Sequence, residues 1–313
     1  MSKARPLILF VQWFGPWPEW IEIFVESCKW NPEVDWLIFT DQQPPENKCP
    51  NVRFRNLSFK AHLEHIGQRI GLRLDAADPY KLCDLKPCLG FAYEDLLGNH
   101  EFFGYCDLDV VFGNIRDFYT NDLLNRFDVI STHGRRLAGH FTILRNDVFR
   151  RNAFRRIRHW RRKARNARPS ALDEKRFGEV FLRPSLWRQL TEPRARVLLE
   201  EQFSTPWSTK PWLDGSHTYP PRWYWRDGKL TAEGYGDRQF LYLHFLTLKS
   251  DRFRNQARYG PAPWPALPRI VSIDWRNAGK EGFMISAAGI TAIPQSAIDA
   301  IHAPTRDGRS SPE

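Results

Sequence analysis

The segment FFGYCDLDVVFG, Phe102–Gly113, sets the tightest limit on what this chain can become. Apolar runs flank the carboxylates Asp107 and Asp109, and such a run reads as a strand buried on both faces of a mostly parallel sheet. Charge in such a strand belongs at its end, where the chain leaves the sheet. On an extended chain residues i and i+2 face the same way, so Asp107 and Asp109 are expected to converge on one hard cation. The carboxyl end of a parallel strand is also where open α/β sheets bind ligands. The leading expectation is therefore a metal-dependent enzyme acting on a phosphorylated donor. The D-x-D motif occurs once, no more often than chance would place it, so its meaning rests on the strand that carries it. A satisfied, salt-bridged pair is the structural alternative.

At 313 residues, 42% apolar and 14% aromatic, the chain can bury a full core. No internal repeat or clean linker divides it, so a single domain over residues 1–302 and a disordered tail over 303–313 are expected. Five cysteines without a CxxC pattern suggest buried thiols in a reducing compartment. No segment approaches the ~20 apolar residues of a membrane span, so the expected location is cytoplasmic, with peripheral contact to the inner face of the membrane as an extension. The net charge of +10 is concentrated in Arg150–Arg168, which holds ten Lys or Arg and no acid. Helical spacing there would put Phe154, Ile157 and Trp160 on one side. The basic stretch is open to three readings: a solvated helix face, a patch for anionic lipid or a phosphorylated glycolipid, or nucleic-acid binding.

Along the chain, Leu7–Val11 reads as a buried strand and PWPEWIEIFVESCKWN as an amphipathic helix with Trp20, Ile21, Phe24, Val25 and Cys28 on its stripe. DWLIFTD and NVRFRNLSF read as strands, FKAHLEHIGQRIGL as a helix, and PYKLCDLKPCLGFAYEDLLGN as a second helix interrupted near Pro87. After the acidic segment come strands in FDVIST and GHFTILRN, the Arg-rich helix, and a short helix in LDEKRFGEVFL. RWYWRDGKLTAE is a hairpin turning at Asp227-Gly228. FLYLHFLTLK is a last strand, and an irregular, proline-rich wrap follows Ser250. The alternation predicts a doubly wound α/β fold with a mostly parallel sheet.

Taken in order, VQWFG, LIFTD, YKLCDLKP, FGYCDLDVVFG, AGHFTILRN and YLHFLTLK resemble the Rossmann-like GT-A class of nucleotide-sugar glycosyltransferases. The resemblance spans roughly Arg5–Ser250 and is nearest to bacterial polysaccharide or lipopolysaccharide enzymes, retaining galactosyl- and glucosyltransferases that add a C-terminal His metal ligand. It implies a UDP-sugar donor, Mn²⁺ or Mg²⁺, and transfer to a hydroxyl of a glycan or glycolipid.

The residues themselves support candidates beside it. A divalent ion on Asp107 and Asp109 would stabilise the charge that develops on a nucleoside diphosphate as it leaves. His244 is the polar tooth of an apolar strand, on the side opposite Leu241, Leu243 and Phe245; the resemblance makes it the third metal ligand. Lys249 could reach a phosphate as a point charge. Lys81 and Asp84 have the spacing of a surface ion pair, whereas the resemblance gives Lys81, Asp84 and Lys86 to the donor's sugar hydroxyls and phosphate. Gln12, Trp13 and Phe14 end the first strand and Asp41 ends the second, where a nucleobase and ribose would lie. Gly139 and His140 open the GHFTILRN strand, the glycine allowing close backbone approach. Asp173 and Glu174 are candidates for activating or orienting the acceptor hydroxyl. Two alternatives stay open. One is a nucleic-acid-binding protein or nuclease; the other is a non-enzymatic glycan-binding protein stacking sugars on some of its 13 Trp.

Overall fold

The computed structural model describes residues 6–76, 78–183, 192–206, 211–249, 264 and 267–295. Short apolar runs separated by turns build the first sheet. Its strands are β1 (Leu7–Trp13), β2 (Val34–Thr40), β3 (Val52–Asn56), β4 (Phe102–Cys106), β6 (Val129–Ser131), β7 (Phe141–Arg145) and β8 (Val197–Leu199), in the order β3-β2-β1-β4-β7-β6-β8. All run parallel except β7, which is antiparallel to both neighbours.

Period-2 alternation decides the core. Leu7, Leu9 and Val11 enter one apolar layer with Trp36, Ile38, Phe102 and Cys106. Ile8 and Phe10 enter the opposite layer with Leu37, Phe39, Phe103 and Tyr105. Helix α1 (Ile21–Lys29) covers the first layer, with the predicted stripe buried. Helix α2 (Phe59–Ile70) covers the second; Ser58 caps its start by accepting from Ala61 N, and Gly71 ends it at φ 71°. Expectation and structure agree on a mixed α/β protein with a large, mostly parallel sheet.

A second, antiparallel sheet combines β9 (Arg222–Arg226), β10 (Lys229–Ala232), β12 (Phe283–Ser286) and β13 (Gly289–Thr291) in the order β10-β9-β12-β13. The hairpin turn at Asp227-Gly228 is present, both residues at positive φ as a two-residue turn demands. The second hairpin and the helix Trp275–Glu281 replace the expected irregular wrap in this part of the chain. Trp20, Trp212, Trp223, Trp225 and Trp264 fill the core of this region. With Trp36 and Trp160 also buried, seven of the 13 Trp are withdrawn from any sugar face.

Other expectations are corrected. The 310 run Pro79–Cys88 continues through Pro87, which has no amide hydrogen to give to the turn before it. The Arg-rich stretch is three short turns, Val148–Arg151, Ala153–Arg156 and Trp160–Arg165, broken before the last by His159 at φ 58°. Phe154, Ile157 and Trp160 are nevertheless buried together. FLYLHFLTLK is strand only at β11 (Tyr242–His244), then a helical turn, Leu246–Lys249. The expected tail 303–313 lies outside the described residues, as do residues 250–263, 265–266 and 296–302 of the wrap. Among the described residues no helix is long and apolar enough to cross a membrane.

Candidate active site

The acidic pair does not lie on a continuous strand. β4 ends at Cys106, the backbone bends at Leu108 and Asp109, and the chain re-enters extended geometry as β5 (Val110–Phe112). A bend therefore brings the two carboxylates together, in place of strand alternation. Leu108 packs into the core and its carbonyl accepts the Trp20 indole N–H at 3.0 Å.

β5 pairs antiparallel with β11, placing His244 opposite Val110. His244 Nε2 lies 3.2 Å from Asp109 Oδ2, and one ligand atom each of Asp107, Asp109 and His244 falls within 4.8 Å of the others. Donors around a Mg²⁺- to Ca²⁺-sized ion, at about 2.1–2.4 Å, sit at most about 4.2–4.8 Å apart, so these three fit one cation. Two carboxylates and an imidazole suit Mn²⁺ or Mg²⁺, the nitrogen favouring the former. The outer nitrogen, His244 Nδ1, is 3.3 Å from Thr205 Oγ1, a contact that orients the ring. The His140 ring stacks on His244 at 4.0 Å, and its own Nε2 meets Tyr242 Oη at 2.6 Å. Burial first, then the neighbouring His244 and His133, keeps His140 well below its usual pKa and so uncharged.

Lys86 is the buried cation of the site. Its ammonium pairs with Asp107 Oδ1, donates to Gly139 O at 2.8 Å and lies 3.8 Å from Asp173 Oδ2. Burial works against its charge, but Asp107, Cys83 and Asp173 outweigh it and hold Lys86 well above its ordinary value. Asp173 moves the opposite way for a carboxylate. Burial raises its pKa to about 7, with Lys86 opposing and Glu174 and Asp107 reinforcing. A Cβ on Gly139 would stand 2.6 Å from Asp173 Oδ2, so the glycine makes room for this carboxylate. Glu174 sits half-buried with Arg136 Nη1 at 2.8 Å and holds an irregular backbone, φ −104°, ψ −108°.

These groups line one pocket of about 980 Å³, shared with Gln12, Trp13, Phe14, Asp84 and His140. The Gln12 amide is fixed at both ends, Nε2 on Leu82 O and Oε1 on His62 Nε2. Trp13 donates to Pro16 O, and Phe14 packs on Phe59 and His62. Two expected donor-site residues stand apart. Asp41 is exposed and accepts from Gly15 N and Gln42 Nε2, closing a turn outside the pocket lining. Lys81 is 1% exposed, and its three ammonium hydrogens match Asp84 Oδ2 (2.6 Å), Lys163 O and Arg168 O. The Lys81–Asp84 pair is thus buried where its spacing suggested a surface pair. The carboxylate of Asp84 also accepts from Ser170 N and Leu172 N, so the pair ties down the segment that carries the pocket wall 169–171. The side chain of Lys249 lies outside the described residues.

Sequence reasoning missed Thr205, Arg136, and the wall residues Tyr80 and Ser170. Thr205 belongs to no motif. Arg136 carries a signal only as part of the basic HGRR link beside the candidate acids.

A sequence model described as "Family of unknown function (DUF6625)" matches residues 9–260. The chain belongs to DUF6625. No curated protein matches this DUF6625 sequence. Among solved structures, the galactosyltransferase LgtC in complex with donor and acceptor sugar analogs is similar at 11% identity over 83% of this chain and 99% of its own, TM-score 0.40. Mouse xyloside xylosyltransferase 1 is similar at 9% identity over 76% and 97%, TM-score 0.41. The glycosyltransferase GlyE of Streptococcus pneumoniae TIGR4 is similar at 12% identity over 65% and 46%, TM-score 0.34. At these overlaps the likenesses decide nothing about chemistry.

Proposed function

We propose that this DUF6625 member is a metal-dependent glycosyltransferase of GT-A type, moving a hexose from a UDP-sugar to a hydroxyl of a glycan or glycolipid acceptor with retention. The observation that carries the reading is the convergence of Asp107, Asp109 and His244 in a pocket that also holds Lys86 and a near-neutral Asp173.

Asp107, Asp109 and His244 would hold Mn²⁺ or Mg²⁺, which when bound offsets the negative charge of a diphosphate leaving group. Lys86 supplies a fixed cation beside the same corner, with Asp107 and Gly139 O keeping its ammonium aimed. Asp173, with a pKa near 7, can exist as an acid that donates to, or a carboxylate that accepts from, a sugar hydroxyl. Glu174 and Arg136 form a polar rim suited to orienting the acceptor. Gln12, Trp13 and Phe14 add one fixed amide and two aromatic rings to the lining, the chemistry that receives a nucleobase. Asp84 and Lys81 act on the donor through the wall they hold. Retention rests on the His-containing ligand set shared with the retaining enzymes the sequence resembles.

The test is a panel of nucleotide sugars with Mn²⁺, reading release of nucleoside diphosphate. Asp109→Ala is expected to lower release by about a thousandfold, the scale of losing a main charge-stabilising group. A folded protein that binds and hydrolyses no donor, or an unimpaired Asp109→Ala, overturns the assignment.

A further inference from the structure

Much of the basic stretch is consumed inside the molecule. Arg150 is buried between Asp128 and Asp147, Arg156 pairs with Glu192, and Arg155 lies over the rings of Phe91 and Phe154. Arg151 reaches Glu94 at 3.8 Å. The remainder is different. Arg158, Arg161, Arg162, Arg165 and Arg168 are exposed, and among the described residues none of them has a carboxylate within 4.0 Å. Trp160 and Ala164 turn into the core, which directs Arg161, Arg162 and Arg165 outward. Exposed Arg176 adds to the same field: together with Arg162 it opposes the charge on Lys163, whose pKa is lowered first by desolvation and then by these two.

This charge, unmatched by carboxylates although Arg161 also lies over the Trp160 ring at 5.5 Å, adjoins the pocket. Lys81 holds the carbonyls of Lys163 and Arg168, Asp84 holds the amides of Ser170 and Leu172, and residues 169–171 line the cavity wall. The five exposed guanidinium groups are distributed along residues 158–168, on and on both sides of the turn Trp160–Arg165, so an extended anionic surface matches them better than a single phosphate. Phe154, Ile157 and Trp160, the aromatic and apolar side chains of the basic stretch, are buried. The stretch itself therefore presents neither a wedge to insert into lipid nor a ring on which a base could stack; the exposed ring beside it is Tyr80, next to Lys81 on the pocket wall.

We propose that Arg158–Arg168 is an electrostatic landing surface for a bilayer rich in anionic lipid, holding the pocket wall at the membrane without insertion. Its link to acceptor delivery rests on the transferase reading; the binding itself does not. Full-length protein is sedimented with vesicles of phosphatidylcholine alone or with about one third phosphatidylglycerol, at about 50 mM and about 500 mM salt. Binding is expected only with phosphatidylglycerol, and is expected to vanish at high salt. Replacing Arg158, Arg161, Arg162 and Arg165 with Gln is expected to weaken it at least about tenfold, and the Arg→Lys set to retain it. If the Gln set does not fold, as judged by circular dichroism, the milder Arg161→Gln/Arg165→Gln pair is read in its place, with at least a severalfold loss expected. Indifference to phosphatidylglycerol, wild-type binding by the Gln variants, or preference for RNA or DNA over vesicles overturns the proposal. Donor hydrolysis by the same variants in vesicle-free solution is expected to be unchanged, so failure of the landing surface and failure of the transferase reading are read separately.

Discussion

The two sheets bury side chains equally well and spend that burial on different things. Around the carboxyl end of β4 the interior holds polar, titratable side chains: Lys86 against Asp107, Lys81 against Asp84, His244 beside Asp109. The antiparallel sheet buries neutral indoles instead, stacked edge to face or in parallel, such as Trp225 on Phe283 at 4.9 Å and Trp212 against Trp223. Buried ion pairs add little net stability, because desolvation offsets their attraction. Apolar burial is what stabilises a fold. The comparison therefore assigns stability to the aromatic region and chemistry to the charged one. The seam between them is explicit: Trp20 donates to Leu108 O, Trp225 donates to Phe112 O at 2.8 Å, and Phe245 N donates to Asp109 O at 3.1 Å. Neutral donors from one region thus fix the backbone of the acidic bend in the other.

Four measurements sharpen or break this division. Trp212→Ala, in the aromatic core and away from the bend, is expected to cost about 3–5 kcal/mol in denaturant unfolding and leave Mn²⁺ affinity of the folded protein unchanged. An equal loss of metal affinity would show that the regions are not separable. The second is a pH series in chelator. Asp173 has its folded pKa raised from 3.8 to about 7, so the folded state holds its proton more tightly than the unfolded chain. Stability from this group is complete below about pH 4 and is lost as pH rises towards 7, by at most about 1.4 kcal/mol per pH unit. Asp173→Asn should flatten that slope, and an unchanged slope would assign it to other groups. The third is His244→Ala, expected to weaken Mn²⁺ binding about a hundredfold by calorimetry while the melting temperature without metal moves little. Smallest is Trp20→Phe, which keeps much of the ring and removes the N–H to Leu108 O. A loss of metal affinity of about threefold to tenfold with about 1–2 kcal/mol of destabilisation is expected. No change in affinity would mean the bend holds itself.

The strands of the first sheet other than β8 were legible because they are short apolar runs bounded by turn residues, and the β9–β10 turn because Asp-Gly tolerates positive φ; β8, three residues among charged neighbours, was not read. The β12–β13 hairpin was not, since glycines and alanines dilute its apolar signal and its partner strand lies some sixty residues earlier. β11 was legible as a strand, but its end was not. His244 N turns to Ser204 O and Phe245 N to Asp109 O, tertiary bonds that release the chain into a helical turn. In the site, the acidic pair stood out from its strand context, while Lys86 and His244 were singled out through the family resemblance. The burial of Lys81–Asp84 could not, because i, i+3 spacing looks the same at a surface as beneath a loop. Nor could Gly139's part, which depends on Asp173 arriving from a distant segment.

The β5–β11 ribbon is three residues long, and that brevity has a consequence for errors in assembly. Sliding β11 by one residue would exchange His244 for Leu243 or Phe245 beside Asp109 and drive an imidazole among the tryptophans. Both displaced groups would lose their partners at once, so the shifted arrangement carries two penalties for one mistake. The ribbon thus proofreads its own alignment, and a chain that closes it at all closes it with the imidazole facing the carboxylates.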